Sequence, residues 1–430
     1  MNATTETRMS ARTETRDDPA VPPLPLAGEG RGEGNLEPPP HTPRLAPPPL
    51  TRTLTIVAFA FLLSRAIIFA IWFGVLQYPT PAVDGEANAW EPKLVLTAPG
   101  FGDALAGLVR TYDASWYATI AEHGYDPGPF DASVQHNWAF FPLHPLLWRA
   151  ASAVTGEFAL TGILLANLYF FAALIVVHRL VLALDFDAAA ADRAVLALAL
   201  FPVSYFFALP WTESLFLLLS ASCFLAAIRE RWGLAGLLAA LAAVTRVSGL
   251  FLLPALAILL WRARGRTSPV VWLTLAMAPL AFAAFAWHLH AVTGDALAFV
   301  HIQGTFARPA QPTAAAIEWA FRRWDWIIEG WNFRWLNAAA MLAGLVAAIW
   351  LARKRQLALA AFLVLGLAAP LNTATVMSGA RYAIGLFPFA IALGAWTSHR
   401  RVEIAFWSIS SALLALMTAL YAEGVNFAGA

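Results

Sequence analysis

A chain of 430 residues that is 59% hydrophobic and only 13% charged lies outside the composition of water-soluble domains, in which roughly a quarter of the side chains carry charge. Its apolar residues come in runs long enough to cross a ~30 Å hydrocarbon layer, which points to an integral membrane protein. The net charge of +1 is uninformative by itself, no nucleic-acid partner is expected, and the single Cys223, inside an apolar run, excludes an intrachain disulfide and a Cys-based metal site.

Residues 1–50, with "PPLPLAGEGRGEG" and "EPPPHTPRLAPPP", are rich in Pro, Gly, Thr and charge. They bury too little apolar surface to offset the entropy of ordering, so a disordered cytoplasmic tail is expected, followed by the membrane domain, 51–430. The tail lacks the apolar core of a signal peptide, and the first span is read as a retained anchor.

About eleven spans follow, near 53–77, 159–184, 194–209, 212–228, 233–247, 249–261, 270–291, 335–352, 357–373, 381–398 and 403–422. Two of them, 233–247 and 249–261, are short for the hydrocarbon thickness and read either as a tight hairpin or as an irregular helix pair. Basic residues cluster at Arg229 and Arg231, at Arg262, Arg264 and Arg266, at Arg353, Lys354 and Arg355, and at Arg400 and Arg401. With the N-terminus inside, all four clusters fall on the cytoplasmic side. The loops 78–158 and 292–334 then face outward. The first holds nine acids against three bases; the second is aromatic, with "IEWAFRRWDWIIEGWNFRW".

Loop 78–158 is too long to be a plain connection. Amphipathic helices are expected over 103–110 and 114–123, the second capped by Asp113 and stopped by Gly124. The stretch "QHNWAFFPLHPLLW", 135–148, pairs Gln135, His136 and Asn137 with an apolar run broken by Pro142 and Pro145. An interfacial or re-entrant segment fits it better than a straight entry into lipid.

Five motifs in chain order, "YDASWYATIAEHGY", "HNWAFFPLHPLL", "PWTESLF", "AAVTRVSGL" and "SGARYAIGLFPF", together resemble the PIG-V mannosyltransferase family, over roughly residues 53–423. The resemblance implies an all-α polytopic membrane protein with the GT-C glycosyltransferase fold. It also implies a polyprenyl-phosphate sugar donor, with mannose as the sugar, and an active site in the first large non-cytoplasmic loop. The family usually shows Arg-Trp-Asp where this chain has Thr111-Tyr112-Asp113, and often Val-His-Phe where it has Ser115-Trp116-Tyr117. The acid is kept while its neighbours differ, which bears on acceptor and sugar more than on the reaction type.

Sugar transfer requires the acceptor hydroxyl to lose a proton as it attacks the anomeric carbon, and a nearby carboxylate can take it. Asp113 is the candidate base, its alternative role being the helix cap. Glu122 is the rival acid, with His123 beside it. The departing lipid phosphate gains negative charge, so cations near the interface should stabilise it. Arg246, Arg381 and Arg308 qualify by position, though an arginine at a span's end can also simply snorkel. Trp116, Tyr125, Gln135, Trp138, Glu213 and Tyr382 are candidates for binding acceptor or sugar; Glu213 alternatively serves a cap or turn, and the tryptophans an interfacial belt. Arg65, midway along the first span in "LLSRAIIF", needs a partner or a function. His136, His144, His288, His290 and His301 lack ligand spacing, and neither a metal nor a cofactor is expected. No Walker or Rossmann glycine pattern appears, against a nucleotide-sugar donor.

Two readings remain: a polyprenyl-phosphate-dependent glycosyltransferase of the cell membrane, acting in the periplasm on a lipid-linked or surface acceptor, or a polyprenyl-lipid or sugar transporter. A transporter should place polar sites at the midplane, often in repeated halves. Here the polar groups gather in an outer loop, and Arg65 alone favours transport.

Overall fold

The computed structural model describes residues 49–77, 100–306, 334–371, 376 and 378–424. Nearly all of the tail 1–50, residues 78–99 of the first loop, and 307–333 with Arg308 lie outside the described residues. Every regular element among those described is helical. The first six are α1 (Leu50–Leu76), α2 (Phe101–Leu108), α3 (Asp113–His123), α4 (Leu143–Thr155), α5 (Phe158–Ala183) and α6 (Ala188–Leu200). Then come α7 (Glu213–Ile228), α8 (Trp232–Ala243), α9 (Leu252–Ala263), α10 (Met277–Thr293) and the single turn α11 (Ala298–His301). The last five are α12 (Arg334–Arg353), α13 (Leu357–Leu371), α14 (Gly379–Gly385), α15 (Phe387–Trp396) and α16 (Arg400–Ala422).

Among the described residues, five helical stretches are long and apolar enough to cross a membrane: Leu50–Leu76, Phe158–Ala183, Pro269–Thr293, Trp335–Arg353 and Arg400–Ala422. Their outer faces keep large apolar side chains exposed, among them Phe59, Leu62, Leu164, Leu168, Leu280 and Trp287. Such a belt suits hydrocarbon and would be a liability in water. The chain is thus a polytopic all-α membrane protein.

The remaining expected spans are shorter or broken. Segment 194–209 is the 13-residue α6 followed by a buried turn with a 3-10 helix at Ser204–Phe207. At about 1.5 Å per residue α6 spans ~20 Å, short of a full crossing. It starts earlier than expected because Asp187 caps it, accepting from the Ala190 N–H at 2.6 Å. Segment 381–398 breaks at Leu386 into α14 and α15, bent by 83°. Pro388, in the first turn of α15, lacks the N–H that a continuous helix would need, and its ring would clash with the carbonyl four residues back. The pair α8 and α9 is the irregular arrangement, not the hairpin: α8 packs on α7 and α10, whereas α9 packs on α13.

The site end of the molecule is built on α3 and α4. Ala114, Tyr117, Ala118, Ile120 and Ala121 give α3 its buried face. Arg149 of α4 donates to the carbonyls of Ala121 and Ile120 at the end of α3, the second of which also accepts from the Gly124 N–H. The indole of Trp148 lies flat against α5 where Gly162 leaves room: a Cβ there would sit 2.3 Å from the ring. Its Nε1 donates to the Phe158 carbonyl at 2.8 Å. Two bonds then tie α4 to the neighbouring turns. The Leu143 N–H donates to the Val244 carbonyl at 3.0 Å. His144 Nε2 meets the Pro210 carbonyl at 3.0 Å, two residues before Thr212.

Candidate active site

A helix start, a turn and a short helix converge beside Asp113. Thr212 and Glu213 open α7, Arg246 closes the turn after α8, and Arg381 sits in α14. The Ala380 N–H, next to Arg381, donates to the Asn337 side-chain carbonyl at 3.0 Å, which seats α14 on α12. The result is a chain of alternating charges. Arg381 donates through one terminal nitrogen to Asp113 Oδ2 at 2.8 Å and through Nε to Glu213 Oε1 at 2.5 Å. Arg246 donates to the same Glu213 oxygen and to Thr212 Oγ1, the latter at 3.1 Å. Thr212 Oγ1 also shares a hydrogen bond with Tyr117 of α3 at 3.2 Å. Burial raises the Tyr117 phenol well above its ordinary pKa, so it acts as a neutral hydroxyl.

Exposure is lowest in the middle of that chain and highest at its Asp113 end. The Asp113 side chain is 34% exposed, Arg246 15%, Arg381 7% and Glu213 4%. The carboxylate at the mouth is the most open of the four groups. Its Oδ2 is engaged by Arg381, and its Oδ1 has no partner among the described residues. Aromatic rings flank the arginines: the Arg381 guanidinium lies 4.3 Å from the Trp211 ring centre and 5.1 Å from that of Phe206, and Arg246 lies 5.4 Å from that of Tyr382. Such faces favour a cation held away from water.

Asp113 is not the cap of α3. Tyr112 holds the N-cap position with no side-chain cap bond, and Asp113 is the first helical residue, its carboxylate turned to Arg381. Tyr112 sits at φ 47°, ψ −133°, a backbone region that side chains other than glycine's rarely occupy. The end of α16 holds it there. The Tyr112 hydroxyl donates to the Gly424 carbonyl at 2.8 Å, its ring lies 5.1 Å from that of Tyr421, and Thr111 Oγ1 meets the Tyr421 hydroxyl at 3.3 Å. Strain of this sort persists where the surroundings over-determine it.

The other sequence candidates lie elsewhere. Glu122 forms a two-pronged pair with Arg110 at 3.0 and 2.9 Å. His123 is largely exposed beside it. Trp138 is 1% exposed; its Nε1 donates to the Asp126 carbonyl, and His136 stacks on the ring at 4.0 Å, so it is core and offers no face to a sugar. Gln135 donates to the Thr305 carbonyl at 2.9 Å, and Tyr125 to that of Phe140 at 2.7 Å. Trp116, one helical turn from Asp113, is partly exposed and stacks on Phe140. Glu213, expected to meet substrate or a turn, is the buried anchor of both arginines, and its Oε2 has no partner.

Sequence reading missed Tyr117, Thr212, Trp211 and Tyr421. "PWTESLF" contains two of these beside Glu213, and their adjacency to a buried acid was the available signal. Arg65 has no acid partner: its guanidinium lies between Phe61 and Phe170, 5.1 and 4.5 Å from the ring centres, with all three nitrogens unpaired. Among the described residues no cluster of His, Cys, Asp or Glu is arranged to hold a metal.

Comparison with known proteins gives the following. The family described as Mannosyltransferase (PIG-V) matches residues 61–303, more than half of the chain. GPI alpha-1,6-mannosyltransferase 2 of Rattus norvegicus is 33% identical over 180 residues, covering 39% of this chain. The match spans about a third, 35%, of the rat protein's length. Among solved structures, the oligosaccharyltransferase of Archaeoglobus fulgidus tethered with an acceptor peptide is similar at 14% identity and a TM-score of 0.47, over 88% of this chain and 55% of that one. Its apo form is similar at 15% identity and a TM-score of 0.46, over 87% and 56%.

Proposed function

We propose, from the premise that this chain belongs to the PIG-V mannosyltransferase family, that it is an inverting glycosyltransferase with Asp113 as its base. It moves a sugar, mannose by analogy with the family, from a polyprenyl-phosphate donor to a lipid-linked or surface acceptor. One observation supports this above the others: a partly open carboxylate heads a buried relay of two arginines joined by Glu213.

The chemistry follows from that arrangement. The acceptor oxygen forms a bond to the anomeric carbon as the bond from that carbon to the phosphate oxygen breaks. The acceptor's proton passes to Asp113 Oδ1, the oxygen left free by Arg381. The bonding electrons leave with the polyprenyl phosphate, which gains charge. Arg246 uses one terminal nitrogen for its bonds to Thr212 and Glu213, and Arg381 uses Nε and one terminal nitrogen, so each retains N–H groups for phosphate oxygens. Donors fixed beforehand in a poorly solvated site stabilise developing charge more than water does. The ring of Trp116 is the nearest platform for an acceptor sugar, one turn along α3.

In this reading the enzyme is a multi-pass protein of the inner membrane with its N-terminus in the cytoplasm and Asp113 in the periplasm. The transporter alternative draws only on Arg65, whose guanidinium lies against the rings of Phe61 and Phe170.

The test supplies purified protein with radiolabelled polyprenyl-phosphate mannose and a membrane lipid extract. Wild type should transfer label to an extract component, and Asp113→Asn should lower transfer about 100-fold or more while still inserting and folding. Normal turnover by that variant would show that the base lies elsewhere.

A further inference from the structure

The end of the bundle remote from Asp113 carries a groove for which the proposed reaction has no use. Ala257, Ile258 and Trp261 of α9, Trp272 of the turn leading into α10, and Leu357 at the start of α13 form its apolar walls, and Arg262 stands at its rim. Its volume is about 440 Å³, within the ~300–1,000 Å³ of ordinary small-molecule pockets. Fourteen residues of helix separate Val247, beside Arg246, from Trp261. At about 1.5 Å per residue that places the groove ~20 Å from the charged relay.

The rim is cationic without compensation. Arg262 donates to the Arg355 carbonyl at 2.7 Å, which brings the α12–α13 turn, with Arg353 and Lys354, up to the groove. The Arg264 guanidinium covers the Trp261 ring at 4.3 Å. Arg266 is already paired with Glu230, at 2.9 Å. Arg262, Arg264, Arg353, Lys354 and Arg355 have no carboxylate partner among the described residues. An apolar slot with cations at its rim that have no carboxylate partner among the described residues matches a molecule with an acyl chain and an anionic head.

We propose that this groove is a binding site for an anionic phospholipid. One acyl chain lies along Ala257, Ile258, Trp272 and Leu357, and the phosphate meets Arg262 and Arg264. The chain displaces water from walls that offer it no hydrogen bonds. Cations near an anionic lipid surface are drawn to it, so the slot and the rim act together. A polyprenyl-phosphate donor is a poor occupant, since a phosphate held here is too distant from Asp113 to react. The proposal therefore stands independently of the transfer reaction.

The test is lipid retention. Wild-type protein purified in mild detergent with added phosphatidylglycerol or phosphatidylcholine is examined by native mass spectrometry, and its melting temperature is measured with each lipid. One phosphatidylglycerol per chain should persist and raise the melting temperature, whereas phosphatidylcholine should be lost. Ala257→Phe fills the slot and leaves every charge in place; it should reduce retention at least tenfold. Arg264→Gln should reduce it several-fold. Should Ala257→Phe fail to assemble, wild type is compared with lysophosphatidylglycerol and with glycerol phosphate, and only the acylated compound should stabilise it. Equal retention of both phospholipids, undiminished retention by Ala257→Phe, or equal stabilisation by glycerol phosphate would overturn the proposal.

Discussion

Asp113 and Glu213 belong to one string of charges, yet their surroundings assign them opposite duties. Glu213 is enclosed, touches both arginines through a single oxygen, and gives the cluster its cohesion. Removing its charge would leave two buried guanidinium groups facing each other. Breaking a buried pair in this way typically costs about 3–5 kcal/mol. Glu213→Gln should therefore lower the melting temperature in detergent far more than Asp113→Asn, whose partly exposed pair with Arg381 is worth at most about 1 kcal/mol. The activity ranking should not follow the stability ranking: Asp113→Asn should stay folded and lose transfer. If both variants melt alike, Glu213 is not the anchor. The motifs singled out Asp113, Arg246 and Arg381, each a polar residue in an apolar chain, and the structure brings them together. The partner that joins them was not legible, because a sequence shows that an acid is present but not which cations enclose it. Tyr421 was hidden for a related reason: an aromatic residue near the end of an apolar helix is ordinary until its ring is found against Tyr112.

Among the elements, α4 is the one that links the segment carrying α3 to the bundle, and His144 is its titratable contact. A carbonyl can only accept, so Nε2 of His144 carries the proton donated to Pro210, and Nδ1 is left buried without a partner. Burial lowers the His144 pKa from 6.5 to about 4. The unfolded chain takes up a proton near pH 6.5 and the folded one only near 4, so between these values the unfolded state binds more protons. Stability should fall as the pH is lowered through that window, by roughly 3 kcal/mol in all, with no further loss from this group below about 4. His144→Gln retains an N–H donor for Pro210 and does not titrate. Melting curves between pH 7 and pH 4 should be flatter for that variant than for wild type; equal slopes would remove His144 as the cause. The prolines marked the stretch that leads into α4 as something other than a plain span, and the helix Leu143–Thr155 itself was not read from the sequence. The early start of α6 and the break at Leu386 were harder to see. In both, one local group, the Asp187 cap or the Pro388 ring, decides a boundary inside a run whose hydrophobicity is uniform.

At the scale of the molecule, charge divides by end. The Asp113 relay lies at one end of the bundle, and the clusters at Arg262–Arg266 and Arg353–Arg355 lie at the other, joined by the Arg262 bond to the Arg355 carbonyl. The sequence made that division legible because basic residues recur in alternate short loops, and membrane insertion retains such loops in the cytoplasm. Thickness was less legible, since several apolar segments fold as helices too short to cross alone and are supported by neighbours. The division sets a topology that can be read directly. Cys223 is buried and should be silent toward thiol reagents. Ala132 and Gly265 are both exposed, the first in the loop following α3 and the second among the arginines after α9. In intact cells a membrane-impermeant maleimide should label Ala132→Cys and spare Gly265→Cys, and permeabilisation should bring both to the same level. Labelling of Gly265→Cys alone would put Asp113 on the cytoplasmic side. A periplasmic transfer from a lipid-linked donor would then lose its geometry, because the acceptor hydroxyl and the carboxylate that deprotonates it would stand on opposite sides of the membrane.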